Sequence, residues 1–196
     1  ASRRVGIPGV WPYAAPYLAF GLVVSLRGDG GSPAWALAQV LVPGGLIAFW
    51  AWRGAYPELA GCRPRPGPLL ADVGVGLAVA ALWLGPFLAF EALPRPGPEA
   101  AFDPGLLGDD PAARGATLAL RLAGFALVTP FMEELFVRSF LLRFLDVFDR
   151  DEDFRDVPIG RFAWRSFVGT VLWFTVTHQT WEWVVALPTG IVFNLW

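Results

Sequence analysis

Residues 129–144 read TPFMEELFVRSFLLRF, an apolar run that contains two adjacent carboxylates and an arginine. On an α-helix, Glu134 and Arg138 are four residues apart and can form an ion pair on one face. Glu133 lies about 100° further around the helix and falls outside that pair. A charge in apolar surroundings is strongly destabilising unless it is paired, and ionisable residues in a bilayer point to function. The pattern predicts that Arg138 holds Glu134, which leaves Glu133 as a candidate general base or acid.

The composition is that of a membrane protein. Of the 196 residues, 55% are hydrophobic and 16% are charged, and the mean hydropathy is +0.50. Soluble domains carry about 25% charged residues. The net charge of −2 argues against a nucleic-acid partner. A single cysteine, Cys62, excludes an internal disulfide and a cysteine-rich metal site. We expect one membrane-embedded domain over residues 1–196, surrounded by membrane lipid.

Apolar segments near the roughly 20 residues that a bilayer requires follow one another along the chain. They predict an all-α fold, a polytopic transmembrane helical bundle with five full spans and a sixth that begins near Trp183. The fourth segment is too long for one span, and Pro130 is expected to kink it just before the glutamates. The sixth is still apolar at Trp196, which predicts that the native protein continues. The five full segments cover residues 10–26, 33–52, 69–90, 115–144 and 162–180.

The arginines predict the orientation of the bundle, since all fifteen basic residues are arginines. With the N-terminus in the cytoplasm, ten arginines lie in cytoplasmic segments and three lie on the opposite side, and the positive-inside rule favours this arrangement. The charged loop 146–160 is then cytoplasmic. The ten are Arg3, Arg4, Arg53, Arg63, Arg65, Arg143, Arg150, Arg155, Arg161 and Arg165; the three are Arg27, Arg95 and Arg114.

The only histidine, His178, lies in the fifth apolar segment, and Phe174 precedes it by about one helical turn. A lone histidine on an apolar helix is more often a hydrogen-bonded core residue than a ligand or catalyst, and Thr175, Thr177, Gln179 or Thr180 could satisfy it. The glutamates likewise fit an ion-paired helix end at the membrane surface. If the fourth and fifth spans pack together, however, the imidazole can face the carboxylates. Glutamate with histidine supports water activation and oxyanion stabilisation, or Zn²⁺ binding.

The two motifs, Glu133-Glu134-x3-Arg138 and Phe174-x3-His178, resemble the E-E-x-x-x-R and F-x-x-x-H motifs of the CPBP family. This family, also called ABI, comprises intramembrane glutamic or metallo-endopeptidases and includes the CAAX prenyl proteases of the Rce1 type. The resemblance is strongest over a core of about residues 117–196. The sequence HQTWEW that begins at His178 is similar to a bacterial subgroup associated with exosortase sorting systems. That similarity implies a bacterial inner membrane and a link to such a system.

The resemblance also implies roles for individual residues. Glu133 would activate water for hydrolysis of a peptide bond near or within the bilayer, without a covalent enzyme intermediate. Glu134 would assist or anchor, Arg138 would orient it, and His178 would stabilise the oxyanion or bind a metal. Phe174 is a candidate substrate contact. A divalent metal such as Zn²⁺, if bound, would have Glu133 and His178 as ligands, and the substrate would be a peptide or protein.

One family motif, H-x-x-x-N/B, has no counterpart in the sequence. Gly190 and Asn194 have its spacing, but glycine stands at the histidine position, so that role is not carried over. We expect the third motif to lie beyond Trp196, and we expect the 196-residue form to be weakly active or inactive. Two alternatives remain: a non-catalytic membrane scaffold or chaperone of the same fold, and a proton-coupled transporter in which buried Glu and His relay protons.

Overall fold

The structure, a computed structural model, describes residues 9–26, 32–60, 66–95 and 102–196. The regular secondary structure in these residues is helical, and no strand occurs among them. This confirms the predicted all-α fold. The main helices are α1 (Trp11–Leu26), α2 (Pro33–Trp52), α3 (Pro66–Ala89), α4 (Pro111–Val147), α5 (Trp164–Val176) and α6 (Trp183–Leu195). Short 3₁₀ helices cover Pro57–Leu59, Phe154–Asp156 and Thr180–Glu182. The predictions for Cys62, Arg3, Arg4, Arg27, Arg63 and Arg65 lie outside the described residues.

Three of these helices are long and apolar enough to cross a bilayer. They are α2 with 20 residues, α3 with 24 and α4 with 37. At 1.5 Å per residue α4 is about 55 Å long, well beyond the roughly 30 Å of a hydrocarbon core. Helix α1 is apolar but has 16 residues, and α5 and α6 have 13 each. The predicted start of the sixth segment near Trp183 is confirmed, whereas the predicted segment over residues 162–180 forms an α-helix only over Trp164–Val176.

Helix α5 ends at Val176 because the next side chains bond its last backbone carbonyls. The Thr177 hydroxyl donates to the carbonyls of Trp173 and Phe174 at 3.0 and 3.1 Å. The His178 Nδ1 atom lies 2.6 Å from the same Phe174 carbonyl. Such local bonds compete with continuation of the helix. The sequence predicted a longer segment because residues 177–180, THQT, contain no Asp, Glu, Arg, Gly or Pro that would mark its end.

Contacts divide the chain into two compact units. Unit 1 comprises Ala1–Pro57 and Phe102–Ile159 and contains α1, α2 and α4. Unit 2 comprises Glu58–Ala101 and Gly160–Trp196 and contains α3, α5 and α6. The single membrane-embedded domain stays a prediction.

An aromatic core closes one end of unit 1. The Tyr13 ring of α1 packs against Tyr56, Phe140 and Phe154, with centroids 5.4, 6.3 and 5.4 Å away. The Tyr56 hydroxyl donates to the Pro12 carbonyl at 2.6 Å. The start of α1, the segment after α2 and the loop after α4 therefore lie at the same end of unit 1. This agrees with the topology that the arginine distribution predicts, in which these three segments share one side of the membrane.

Charged side chains are buried beside this core. Arg143, Asp146 and Asp153 are each at least nine-tenths buried. The Arg143 Nε atom donates to the Ser139 carbonyl at 2.6 Å, and its guanidinium carbon lies 5.4 Å from the centroid of the Phe154 ring. Buried charges are tolerated when they are paired and hydrogen-bonded. This group therefore fixes the loop after α4 against the end of that helix.

The Asp153 carboxylate should make the stability of this loop depend on pH. Hydrogen bonds from the Arg155 side chain, with Nε 2.9 Å from Oδ1, hold the pKa of Asp153 below its ordinary value. Because the folded-state pKa is lowered, this stabilisation is complete above about pH 4 and is lost as the pH falls through the folded-state value. We expect Asp153→Asn to lower the free energy of unfolding by about 1 kcal/mol at neutral pH.

Thermal unfolding of the detergent-solubilised protein between about pH 3 and pH 7 measures this effect. Asp153→Asn should differ from the wild type at neutral pH and approach it in acid. The exposed Glu152→Gln serves as the matched control in the same loop. A constant difference between Asp153→Asn and the wild type across this range would contradict the assignment.

In unit 2, α6 packs against both α3 and α5. Gly190 permits close approach to α5, since a Cβ atom there would lie 3.1 Å from Cδ1 of Phe174. The Trp196 Nε1 atom donates to Oδ1 of Asp72 near the start of α3 at 3.0 Å. The Phe87 ring near the end of α3 lies 5.4 Å from the ring of Trp181, just before α6. Helix α6 therefore runs antiparallel to α3.

Candidate functional site

The ion pair predicted on α4 is present. Nε of Arg138 lies 3.3 Å from Oε2 of Glu134. The Arg138 side chain is 29% exposed and that of Glu134 is 54% exposed, so the pair is formed but is not sealed inside the protein. Glu133, the preceding residue, is half-buried. As the sequence predicted, Arg138 pairs with Glu134, and Glu133 lies outside this ion pair.

The backbone of α4 widens on both sides of Glu133. The segments Gly124–Val128 and Glu134–Leu141 are π-helical, whereas the residues between them are α-helical. In the first segment the N–H of Thr129 bonds the carbonyl five residues earlier. This wider turn immediately precedes Pro130, which has no N–H to donate, and the helix continues through the proline. Single π turns inside α-helices are frequent at functional sites.

Buried apolar side chains anchor this helical segment before and after the two glutamates. The Phe136 ring stacks on Tyr17 of α1 with centroids 4.2 Å apart, and it also lies 5.7 Å from the Phe140 ring. The two glutamates interrupt this packed series and are the less buried residues within it. The site is therefore a polar group carried by a helix whose neighbouring apolar side chains are packed against α1 and against one another. The buried apolar members are Met132, Leu135, Phe136, Val137 and Phe140.

Arg138→Ala should have a moderate effect on stability. Removing one partner of a fully buried pair costs about 3–5 kcal/mol, but an exposed pair contributes only about 0.2–1 kcal/mol. Given the exposure of Glu134, we expect a loss of about 1 kcal/mol, measured by thermal unfolding in detergent. Arg150→Ala in the exposed loop is the control. A loss near the buried-pair range would contradict this expectation and show that the pair is shielded from water in the solubilised protein.

His178 lies in the turn after α5, and its ring is held on three sides. Its Nδ1 atom is 2.6 Å from the Phe174 carbonyl, and since a carbonyl only accepts, Nδ1 carries the proton in this bond. The imidazole centroid lies 4.4 Å from the Phe174 ring and 5.1 Å from the Trp83 ring of α3. With Nδ1 engaged, Nε2 is the nitrogen left for chemistry. Phe174 and His178 are in contact, although His178 lies beyond the last residue of α5 and not on the helix face that the spacing predicted.

The predicted site residues are distributed over the two units. Glu133, Glu134 and Arg138 belong to unit 1, whereas Phe174 and His178 belong to unit 2. Each motif is assembled within its own unit. That Glu133 faces His178 stays a prediction.

The described residues do not by themselves fit a zinc site. Among them, no group of three or more His, Cys, Asp or Glu side chains could hold a metal ion. The predicted ligands Glu133 and His178 would supply two donors, and catalytic zinc sites use three protein ligands. No reaction step is therefore assigned to a metal.

Three residues around His178 were not predicted from the sequence. Trp83 contacts its ring, and Glu182 and Trp183 order the turn that follows it. Trp83 had no signal beyond its aromatic character in an apolar segment. The Gln179-x2-Glu182 spacing is that of a capping box, which could have been found, although Ser or Thr usually occupies the first position.

The fold and the two motifs define an α-helical integral membrane protein with a carboxylate–arginine pair in one long helix and a histidine at the end of another. Residues 115–196 match the family described as Type II CAAX prenyl endopeptidase Rce1-like. This match confirms the resemblance over that part of the chain, which is less than half of its 196 residues. The similarity supports an intramembrane endopeptidase in general. No curated protein and no solved structure matches the chain.

Proposed function

We propose that this protein is an intramembrane endopeptidase that hydrolyses a peptide bond near the membrane with water activated by Glu133 and assisted by His178. The observation that carries the proposal is the Glu134–Arg138 ion pair within the segment that matches the Rce1-like family. This pair occupies one carboxylate and leaves its neighbour to exchange protons. A peptide or protein is the substrate class that this chemistry requires.

In the proposed reaction, Glu133 takes a proton from water as the water oxygen bonds to the carbonyl carbon of the substrate. The resulting oxyanion needs a hydrogen-bond donor. His178, whose Nδ1–H bonds the Phe174 carbonyl, supplies such a donor at Nε2 when the imidazole is protonated on both nitrogens. In the neutral Nδ1–H form, Nε2 instead accepts a hydrogen bond from the attacking water and orients it, while the water proton still passes to Glu133. The carbon–nitrogen bond then breaks, and the leaving amine takes the proton from Glu133.

Glu134, Arg138 and Phe174 have supporting roles in this proposal. The ion pair keeps the Glu134 carboxylate beside Arg138, so that Glu133 is the carboxylate available to water. Phe174 bonds His178 through its carbonyl and contacts it with its ring, and its ring is also our candidate substrate contact. The divalent metal implied by the sequence resemblance stays a prediction. Loss of cleavage on dialysis against a chelator, with recovery on adding Zn²⁺, is the result that would support it.

We also propose that the protein lies in a bacterial inner membrane with its N-terminus and the loop 146–160 in the cytoplasm. The arginine distribution supports this orientation, and the packing of Tyr13, Tyr56 and Phe154 at one end of unit 1 agrees with it. With Cys62→Ser as background, a cysteine introduced at Glu152 should react with a membrane-impermeant thiol reagent only after the cells are opened. Reaction in intact cells would reverse the orientation.

Comparison of membrane-protein termini in cells with and without the gene tests the function. We expect new termini, within or next to apolar segments, that depend on the gene. Enrichment of proteins with exosortase sorting signals among them would support the predicted link to such a system. An unchanged set of termini would contradict the protease function and favour a non-catalytic membrane scaffold.

A further inference from the structure

The turn that follows His178 is closed by hydrogen bonds of its own. The backbone N–H of Gln179 donates to Oε2 of Glu182 at 3.0 Å, and the Gln179 side chain accepts from the backbone of Glu182. This reciprocal arrangement is a capping box around the 3₁₀ helix Thr180–Glu182. The indole Nε1–H of Trp183 reaches back and donates to the carbonyl of His178 at 3.2 Å. Glu182 and Trp183 therefore shape the turn through hydrogen bonds to backbone groups.

These bonds hold the backbone of His178 on both sides. Its N–H bonds the Thr175 carbonyl at 3.3 Å, its carbonyl accepts from Trp183, and the N–H of the next residue is fixed by Glu182. With the backbone in this place, Nδ1 lies 2.6 Å from the Phe174 carbonyl. The tautomer of a histidine is set by the hydrogen bond that one ring nitrogen makes. The turn therefore controls which nitrogen carries the proton.

We infer that Glu182 and Trp183 are positioning residues that hold His178 as its Nδ1–H tautomer, so that Nε2 is the nitrogen presented for catalysis. The expected effect on cleavage rests on the proposed function, whereas the effect on the tautomer does not. Each acts through a hydrogen bond to a backbone group of His178 or of the residue after it. The chain offers close controls, since Trp181 lies in the same turn but packs its ring on Phe87.

Nitrogen NMR of the protein labelled with ¹⁵N-histidine tests the positioning directly, because His178 is the only histidine in the sequence. The wild type should show one neutral tautomer with the proton on Nδ1. Trp183→Phe removes the indole N–H, and Glu182→Ala removes the cap acceptor. Both should give a mixture of tautomers and lower kcat by on the order of tenfold with little change in KM, since a displacement of about 1 Å can reduce a rate about a hundredfold. Trp181→Phe should leave both readouts unchanged, and Glu182→Gln, which retains a side-chain acceptor, should restore them.

The outcomes separate this inference from the proposed function. An unaltered tautomer in both Trp183→Phe and Glu182→Ala overturns the positioning role, whatever the activity. A shifted tautomer with unchanged kcat overturns its part in the reaction. Cleavage that persists in Glu133→Gln would instead count against the proposed function, and the NMR signal would still decide whether the turn sets the tautomer.

Discussion

Glu133→Gln is expected to abolish cleavage by the intact protein while its stability stays close to that of the wild type. The amide has the size and polarity of the carboxylate but cannot accept the proton that water must lose. Removing a general base typically lowers the rate by about 10²–10⁴-fold. The residue is half-buried and lies outside the Glu134–Arg138 pair, so the substitution breaks no ion pair seen in the described residues. The measurement is the rate of substrate cleavage in lipid vesicles, with thermal unfolding of the same sample.

Two further variants serve as comparisons for Glu133→Gln. Glu152→Gln makes the same chemical change in the exposed loop after α4 and should cleave at the wild-type rate. Glu134→Gln removes the charge that Arg138 holds and should weaken cleavage less than Glu133→Gln, since that carboxylate supports the site. If Glu133→Gln cleaves as fast as Glu152→Gln, Glu133 is not the general base. That result would favour a non-catalytic scaffold.

His178 should give the second large loss. His178→Ala removes the ring, and loss of a group that stabilises an oxyanion lowers the rate by about 10²–10³-fold. His178→Asn is the more informative variant, because its amide nitrogen can take the place of Nδ1–H and keep the bond to the Phe174 carbonyl. It has no group at the position of Nε2. We expect His178→Asn to be as stable as the wild type in thermal unfolding and as inactive as His178→Ala.

The opposite result would identify a structural histidine. If His178→Asn retains wild-type cleavage, the role of His178 is structural. Its hydrogen bond to the Phe174 carbonyl, which ends α5, would then be its whole contribution. Thr177→Val is a control for the helix end, since it removes the neighbouring hydroxyl that donates to the same carbonyl. It should affect stability and leave the rate unchanged.

Much of the fold was predictable because it follows from regular periodicity. The four-residue spacing of Glu134 and Arg138 predicted their ion pair, and hydropathy predicted where α2 and α6 begin. Proline at the first turn of α2, after the Ser32 cap, is a local start signal of the same kind. These features depend on neighbours in sequence, which a single chain displays directly.

Other features were beyond prediction because they depend on side-chain geometry or on distant partners. Helix α5 ends where the side chains of Thr177 and His178 bond the carbonyl of Phe174. A hydropathy value averaged over a segment does not detect such bonds. Arg143 and Asp153 looked like loop and interface charges, yet both are buried beside the aromatic core. Their burial depends on Tyr13 and Phe154, which are far from each other in sequence. The π-helical turns beside Glu133 likewise had no signal except Pro130.

The central claim is that the glutamate of α4 and the histidine after α5 act on one substrate bond, and a cross-link measures this most directly. In a Cys62→Ser background, cysteines would replace Glu133 and His178 and be treated in membranes with a short bifunctional thiol reagent. A second pair, at Glu152 and His178, is the control for chance encounters. We predict an intramolecular cross-link for the first pair and none for the second. Two cysteines at 133 and 178 that each react with a monofunctional reagent but never cross-link would contradict a shared hydrolytic site.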